Sequence, residues 1–377
     1  MTDILLKKST PLRFIDSNKD KAQFFATLRK RVDAYFKENG ISKFYNAQMV
    51  IKTVVFLSLY LGSFALILGV QPSLGIGLLF WTMMGFSKAG IGMCVMHDAN
   101  HGAYSSSHKV NYWLGHTLNL VGGSVFNWKL QHNVLHHTFT NIVHMDDDVE
   151  DKGVLRFSPH TKLKWFHKLQ YIYAFGFYGI LTLYWAILKD FVQYFRYKKI
   201  GVNKQTDKQN RGVLVRIILS KVIYFAVFFV LPIGILHIPA SHIIVGFLLM
   251  HFIAGVVLTV IFQLAHSVED ASHPVPNAQG DIENNWAIHQ LNTTVNFSRN
   301  NAFISWYLGG LNFQVEHHLF PTLCHVHYPE ISKIVKTTAN EYNIPYLENE
   351  TFLNALYSHV LTLKRFGRLQ AMRDTVA

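Results

Sequence analysis

The chain has 377 residues, 50% hydrophobic and only 15% charged, with a formal net charge of +12. A soluble globular protein carries about 25% charged residues, so the composition excludes an ordinary soluble domain and points to a membrane-embedded one. The basic residues flank apolar runs, which suits an anionic inner-leaflet surface and argues against nucleic acid as a partner.

Residues 1–49 are polar and contain ten Lys or Arg. No secretory leader is expected, because the first apolar run begins near Val50. A membrane-spanning helix needs about 20 mostly apolar residues. Val50–Val70 and Leu74–Met96 meet that need and are joined by Gln71-Pro72-Ser73. A first histidine cluster follows at once, His97-Asp98-Ala99-Asn100-His101. Tyr112–Phe126 is too short to cross and is expected at the interface. The second cluster is His132-Asn133-Val134-Leu135-His136-His137, with Asp146-Asp147-Asp148 shortly after. Trp165–Phe191 is apolar but rich in Tyr and Trp, begins near His167-Lys168 and ends at Lys189-Asp190. Ile217–Leu236 and Ile243–Ala265 are the last two expected spans, and His266 closes the second of them. The third cluster is Gln314-Val315-Glu316-His317-His318. Cys94 and Cys324 are the two cysteines, and no C-x-x-C occurs, so a disulfide framework, an iron–sulfur site and a thiolate zinc site find no support.

The two short loops between paired spans lack Lys and Arg, whereas 1–49 and 190–221 are rich in them. Positive-inside logic puts the termini and all three clusters on the cytoplasmic side. Clusters that meet at one site must be separated by an even number of crossings, so Trp165–Phe191 is expected to lie along the interface. The expected fold is an all-α integral membrane protein with four transmembrane helices, interfacial helices and a cytoplasmic histidine-rich cap. No linker or repeat divides it, so 1–377 reads as a single domain: a cytoplasmic segment over 1–49, spans and first two clusters over 50–271, third cluster and C-terminal segment over 272–377. Lys88 is expected to snorkel toward the inner interface, and His251, about 22 Å along its helix from His266, to be a packing or outer-half residue with its polar atoms satisfied.

His97 and His101 are four apart, which places both rings on one helix face about 6 Å apart at Cβ. His132 and His136 repeat the spacing, His137 adds a ring, and His317-His318 is a third pair. His266 ends its span level with His97. Imidazole suits Zn, Cu, Fe and Ni, and a catalytic zinc needs about three protein ligands, so eight histidines suit two ions. The paired Glu and Glu-x-x-His pattern of soluble di-iron bundles is absent. Asp98 and Glu316 are placed to orient ligand rings through hydrogen bonds. Asp146-Asp147-Asp148 reads equally as such a support or as a solvated acidic turn.

The order H-D-x-x-H, H-x-x-x-H-H, Q-x-E-H-H on four spans resembles the membrane fatty-acid desaturases. Gln314 in place of the first His of the third box resembles their front-end branch of delta-6 (linoleoyl-CoA type) and delta-5 enzymes, as does Leu311-Asn312-Phe313-Gln314-Val315-Glu316-His317-His318-Leu319-Phe320-Pro321. The resemblance runs from about Met93 to Pro345. It implies two iron ions held by His97, His101, His132, His136, His137, His266, His317 and His318, with O2 as co-substrate and two electrons per turnover. The implied product is a cis double bond in a long acyl chain carried by CoA, acyl carrier protein or lipid. Gln314 is a possible further ligand. The Asn that reaches iron through water in the delta-9 branch is replaced by Phe262, with Gln263 beside it as a weak substitute. No fused cytochrome b5 motif is found, so a separate ferredoxin or cytochrome b5 is the expected electron donor, as in bacterial members, with the enzyme in the inner membrane and its site facing the cytoplasm. The aromatic segments Asn111–Trp128 and Ala302–Phe313 are candidate tunnel walls. The alternatives are a di-iron lipid hydroxylase, a sphingolipid desaturase and, more distantly, a membrane zinc hydrolase.

Overall fold

The computed structural model describes residues 12–16, 19–150 and 153–370. Residues 1–11 and 371–377, the outer parts of the expected terminal segments, lie outside the described residues, as do 17–18 and 151–152. The chain is mostly helical. In order, the elements used below are β1 (Arg13–Ile15), α1 (Phe24–Glu38), α2 (Ala47–Val70), α3 (Leu74–His101) and α4 (residues 125–139). Then come α5 (Trp165–Lys199), α6 (Asp207–Ile235), α7 (Ala240–His266), β2 (Asp281–Glu283), α8 (Trp286–Thr293) and β3 (Asn296–Phe297). The last are α9 (Gln314–Leu319), α10 (Tyr328–Glu341), β4 (Glu348–Asn349) and α11 (Phe352–Phe366). Among the described residues, α2, α3, α5, α6 and α7 are long and apolar enough to cross a membrane. Four of them overlie the expected spans, α6 ending one residue before Leu236. The fifth, α5, is a continuous helix where the sequence suggests an interfacial segment, and it is 35 residues long.

Several of these helices open locally into wider π turns, at Ile91–Val95, Lys129–His136, Trp185–Lys189 and Ala226–Ile235. Such turns recur at functional sites. One directly precedes His97 and another contains His132 and His136. The last holds Pro232, which has no N–H to give to the helix.

Backbone contacts group the chain into two compact units that alternate along the sequence. The first comprises residues 1–44, 131–174 and 261–377. Its core is built on four-residue spacing, which lines up side chains on one helix face. Phe24, Leu28 and Val32 of α1 meet Ile331, Val335 and Ala339 of α10, together with Ile288 and Leu291 of α8. Fully burying side chains of this size stabilises by about 1.5–3 kcal/mol each. Two parallel strand pairs, β1 with β2 and β3 with β4, tie distant segments together. Asn285 caps α8 by accepting from the Ile288 amide, and Thr351 caps α11 through the Asn354 amide.

The second unit comprises residues 45–130 and 175–260 and holds the bulk of the apolar helices. Close helix approach relies on small residues: a Cβ on Gly255 would stand 2.6 Å from the carbonyl oxygens of Tyr178 and Gly179. Lys88 does not snorkel. It is fully buried, because α6 and α7 supply partners at its own depth: Nζ lies 2.8 Å from Tyr224 Oη and 3.2 Å from His251 Nε2. His251 is, as expected, a satisfied polar residue, buried with both ring nitrogens partnered. Its Nδ1 lies 3.0 Å from Thr182 Oγ1, whose hydroxyl donates to the His251 carbonyl at 2.8 Å. Asp190 and Lys221 form a buried ion pair at 2.6 Å.

Candidate metal centre

In the first unit, α4, α7 and α9 bring six of the expected ligands together. Ligand atoms of His136, His266 and His318 lie within 4.8 Å of one another, as do those of His137, His317 and His318. The rings of His136 stand 4.7 Å from His266 and 4.8 Å from His318, and His137 stands 4.6 Å from His317. The Nε2 atoms of His136 and His266 are buried with no hydrogen-bond partner. Leaving such a group unmet costs about 1–3 kcal/mol, so converging, unmet imidazole nitrogens fit a metal ion as their partner. All the converging donors are imidazoles, the ligand type suited to Zn, Cu, Fe and Ni.

The outward-facing nitrogens are held in the pattern that metal-binding histidines show. Nδ1 of His132 donates to Asp148 at 2.7 Å and Nδ1 of His136 donates to Asp146 at 2.9 Å. Asp146 is fixed in turn by the backbone amides of Asn141 and Asp148, each at 2.9 Å. Burial alone would lower the His136 pKa, but the Asp146 charge outweighs it and the pKa is raised. The acidic turn, through Asp146 and Asp148, is thus the structural support for the second box.

The sequence reading missed α8. Trp286, Gln290 and Thr293 are spaced four and three apart, so they share a face, and that face meets three ligand segments. Trp286 Nε1 donates to the His137 carbonyl at 3.0 Å, and Gln290 Nε2 approaches the same oxygen at 3.3 Å. Gln290 Oε1 accepts from His318 Nδ1 at 2.8 Å, and the Thr293 carbonyl lies 3.3 Å from His266 Nδ1. A signal existed in principle, the polar stripe on an otherwise apolar helix, but the same stripe marks any solvated helix face.

Glu316 does not orient a ligand ring. Its buried carboxylate accepts from Asn296 Nδ2 and Tyr346 Oη, both at 2.8 Å, while Asn296 Oδ1 accepts from the Val315 amide at 2.9 Å. It anchors α9, and its burial pushes its pKa up to about 7. Gln314 spends its amide N–H on the Leu311 carbonyl at 2.9 Å. Gln263 does not substitute for the missing Asn, since its Oε1 accepts from Ser267 Oγ at 2.5 Å. Phe262 fills that position with a ring 5.0 Å from those of His136 and His266. His289 is buried against Phe14, and burial lowers its pKa to about 4. Of the second candidate wall, Ala302–Tyr307 has no buried residue and Phe303 is 74% exposed.

In the second unit, α3 ends in the first box, stopped by Gly102 at φ 74°. The rings of His97 and His101 are 4.7 Å apart, with Trp128 at 5.7 Å and 5.6 Å from them. Asp98 is buried with Oδ1 3.8 Å from His97 Nδ1, an ion-pair distance longer than a hydrogen bond.

The sequence model of a family described as "Fatty acid desaturase" matches residues 72–349, which include all eight histidines. The chain is 34% identical to the sn-1 linoleoyl-lipid 6-desaturase of Arthrospira platensis, over 91% of this chain and 92% of that one. It is 34% identical to the protein of the same description from Synechocystis sp., over 92% and 96% of the two chains. It is 36% identical to the acyl-lipid (8-3)-desaturase of Physcomitrium patens, over 99% of this chain and 77% of that one.

Proposed function

The chain belongs to the fatty acid desaturase family, and from that premise we propose that it inserts a cis double bond at a front-end, delta-6 or delta-5, position of a lipid-linked acyl chain. It is a membrane oxidoreductase, a fatty acyl desaturase. His97, His101, His132, His136, His137, His266, His317 and His318, read as parts of one membrane-embedded domain, would hold two iron ions. When bound, the pair supplies the O2-reducing chemistry. The observation that carries the assignment is the convergence of His136 and His266 Nε2 atoms, buried and without hydrogen-bond partners, on the group completed by His318.

The chain's own residues do the positioning. Asp146 and Asp148 hold the Nδ1 protons of His136 and His132, which leaves the Nε2 lone pairs facing inward. Phe262 keeps the approach to His136 and His266 apolar. The acyl chain must be held so that only two adjacent methylenes reach the metals, because orientation sets which carbons react. The relatives named linoleoyl-lipid desaturases support a lipid-linked substrate. The distribution of Lys and Arg supports a cytoplasmic site on the inner membrane of a bacterium, with α5 along the interface. Electrons come from a separate ferredoxin or cytochrome b5.

The test is mass spectrometry of fatty acids from cells that express the chain with a reducing partner and are fed C18 acids of graded unsaturation. A new unsaturated acid, absent with His317→Ala, supports the reading, and fragmentation locates the bond. A hydroxylated product would move the chain to the sister chemistry.

A further inference from the structure

In the first unit, α11 is apolar on two sides. Its inner side buries Ala355, Leu363 and Phe366. On its outer side Leu353 and Tyr357, four apart and so on one face, are 70% and 65% exposed. Lys364, seven positions after Tyr357, continues that face toward the helix end. The helix docks on the first turns of α5: Gln170 Nε2 donates to the Leu363 carbonyl at 2.8 Å, and Lys364 Nζ stands 5.9 Å from the centre of the Tyr171 ring. Those turns carry a stripe of their own, Trp165, Leu169 and Ile172, spaced four and three, with Trp165 80% exposed. Exposed apolar surface on two adjoining helices marks an interaction site.

The charge beside it has one sign. Residues 153–189 and 351–370 contain no Asp or Glu. Lys168, Lys364, Arg365 and Arg368 are exposed and make no ion pair among the described residues. Acids border α11 at other points. Glu350 precedes its N-terminus, about 21 Å along the helix from Lys364, and the Glu269 amide donates to Ser358 Oγ at 3.0 Å on the buried side. Helices with Trp and Leu beside Lys and Arg lie in the headgroup layer of a bilayer. Trp and Tyr favour that depth, and an anionic leaflet attracts cations held near it. The aromatic stripe belongs to α5, the helix placed along the interface above, so the α11 face is continuous with a lipid contact.

We propose that the outer face of α11, with the first turns of α5, seats the first unit on an anionic lipid surface. Leu353, Tyr357 and Trp165 enter the headgroup layer, while Lys168, Lys364 and Arg365 meet lipid phosphates. This rests on the interfacial placement of α5 and is independent of the metal.

The test places the full chain in nanodiscs of phosphatidylcholine, with and without phosphatidylglycerol. Cys94 and Cys324 are both buried, so a nitroxide goes selectively to a cysteine introduced at the surface. Leu353→Cys and Tyr357→Cys report on α11, Ile172→Cys on α5, and Lys333→Cys on the water-facing side of α10. Power-saturation spectroscopy compares access by O2, which enters lipid, with access by a water-soluble nickel chelate. Labels at 353, 357 and 172 should be several-fold more accessible to O2 than to nickel, and the label at 333 the reverse. Phosphatidylglycerol should draw the α11 labels deeper, and salt should undo that shift. Lys168→Glu/Lys364→Glu/Arg365→Glu should abolish the shift and leave the label at 172 in lipid. The inference is overturned if nickel reaches 353 and 357 as freely as 333, or if the charge reversal leaves the shift intact. It is also overturned if shielding at 357 appears only with two chains per disc, since a second copy would then cover the face. Nickel access at 172 would remove the placement of α5 as well, whereas lipid at 172 with water at 353 and 357 would remove the α11 contact alone.

Discussion

Two buried polar clusters in this molecule are built on histidine, and they end in opposite ways. In the second unit, Lys88, Tyr224, His251 and Thr182 close on one another: Thr182 donates to the His251 carbonyl, His251 Nδ1 finds the same hydroxyl, and Nε2 accepts from Tyr224 or Lys88. Among the described residues, none of these four side chains has a buried nitrogen or oxygen without a partner. In the first unit, only the outer nitrogens of His136 and His266 are engaged, by Asp146 and by the Thr293 carbonyl, while both Nε2 atoms stay unmet. Buried polar groups are nearly always hydrogen-bonded, so the closed cluster is a clasp between helices, and the open one is built around something else. Burial and residue type do not separate the two; the direction of the unmet atoms does.

Removing an inward-facing nitrogen should have the largest effect. His317→Ala and His136→Ala are expected to take product below detection while the chain still inserts, and retained activity in either would remove that residue from the ligand set. Next comes the support around the ligands. Asp146→Asn should cost 10–100-fold in metal affinity or activity, read as iron content against added chelator; a variant equal to the parent would return the acidic turn to a solvated loop.

Buried histidines that face no metal should show themselves through acid instead. His359 is buried and His273 half-buried in the first unit, and desolvation lowers both to about 4, with His359 Nδ1 donating to the Ser267 carbonyl at 2.7 Å. Their folded values lie below the ordinary value of about 6.5, so the unfolded chain binds more protons between the two. Their stabilisation is fully present above about pH 6.5 and lost as pH falls toward 4, on the order of 3 kcal/mol each. Thermal unfolding across that window should be less steep in His359→Asn, and an unchanged slope would show that His359 is not buried neutral. The smallest effect is expected at the clasp. His251→Phe should lower stability by about 1–3 kcal/mol with iron content unchanged, and iron loss there would erase the distinction between the two clusters.

Much of this was legible in the sequence because histidine is scarce enough in apolar chains for spacing to stand out. The three boxes and His266 could be named from residue type and helix period alone, as could the four apolar runs. What could not be read is where polar residues point. Glu316 sits inside a box yet turns away to Asn296 and Tyr346, because α9 presents successive side chains to different neighbours. Gln290 and Thr293 belong to no motif, and their role exists only once α8 lies beside α4 and α9. Lys88 read as a snorkelling residue because its partners are 136 and 163 positions away. The apolar run Trp165–Phe191 could be read, but not its continuation as one helix to Lys199, where Asp190 is met by Lys221 of α6, 31 positions away.

The most direct measurement is metal content of the purified chain by mass spectrometry, for the parent and for His318→Ala, the residue shared by both groups in the first unit. The account predicts two irons per parent chain and loss of iron in the variant. Zinc in place of iron, or iron unchanged by His318→Ala, would contradict it.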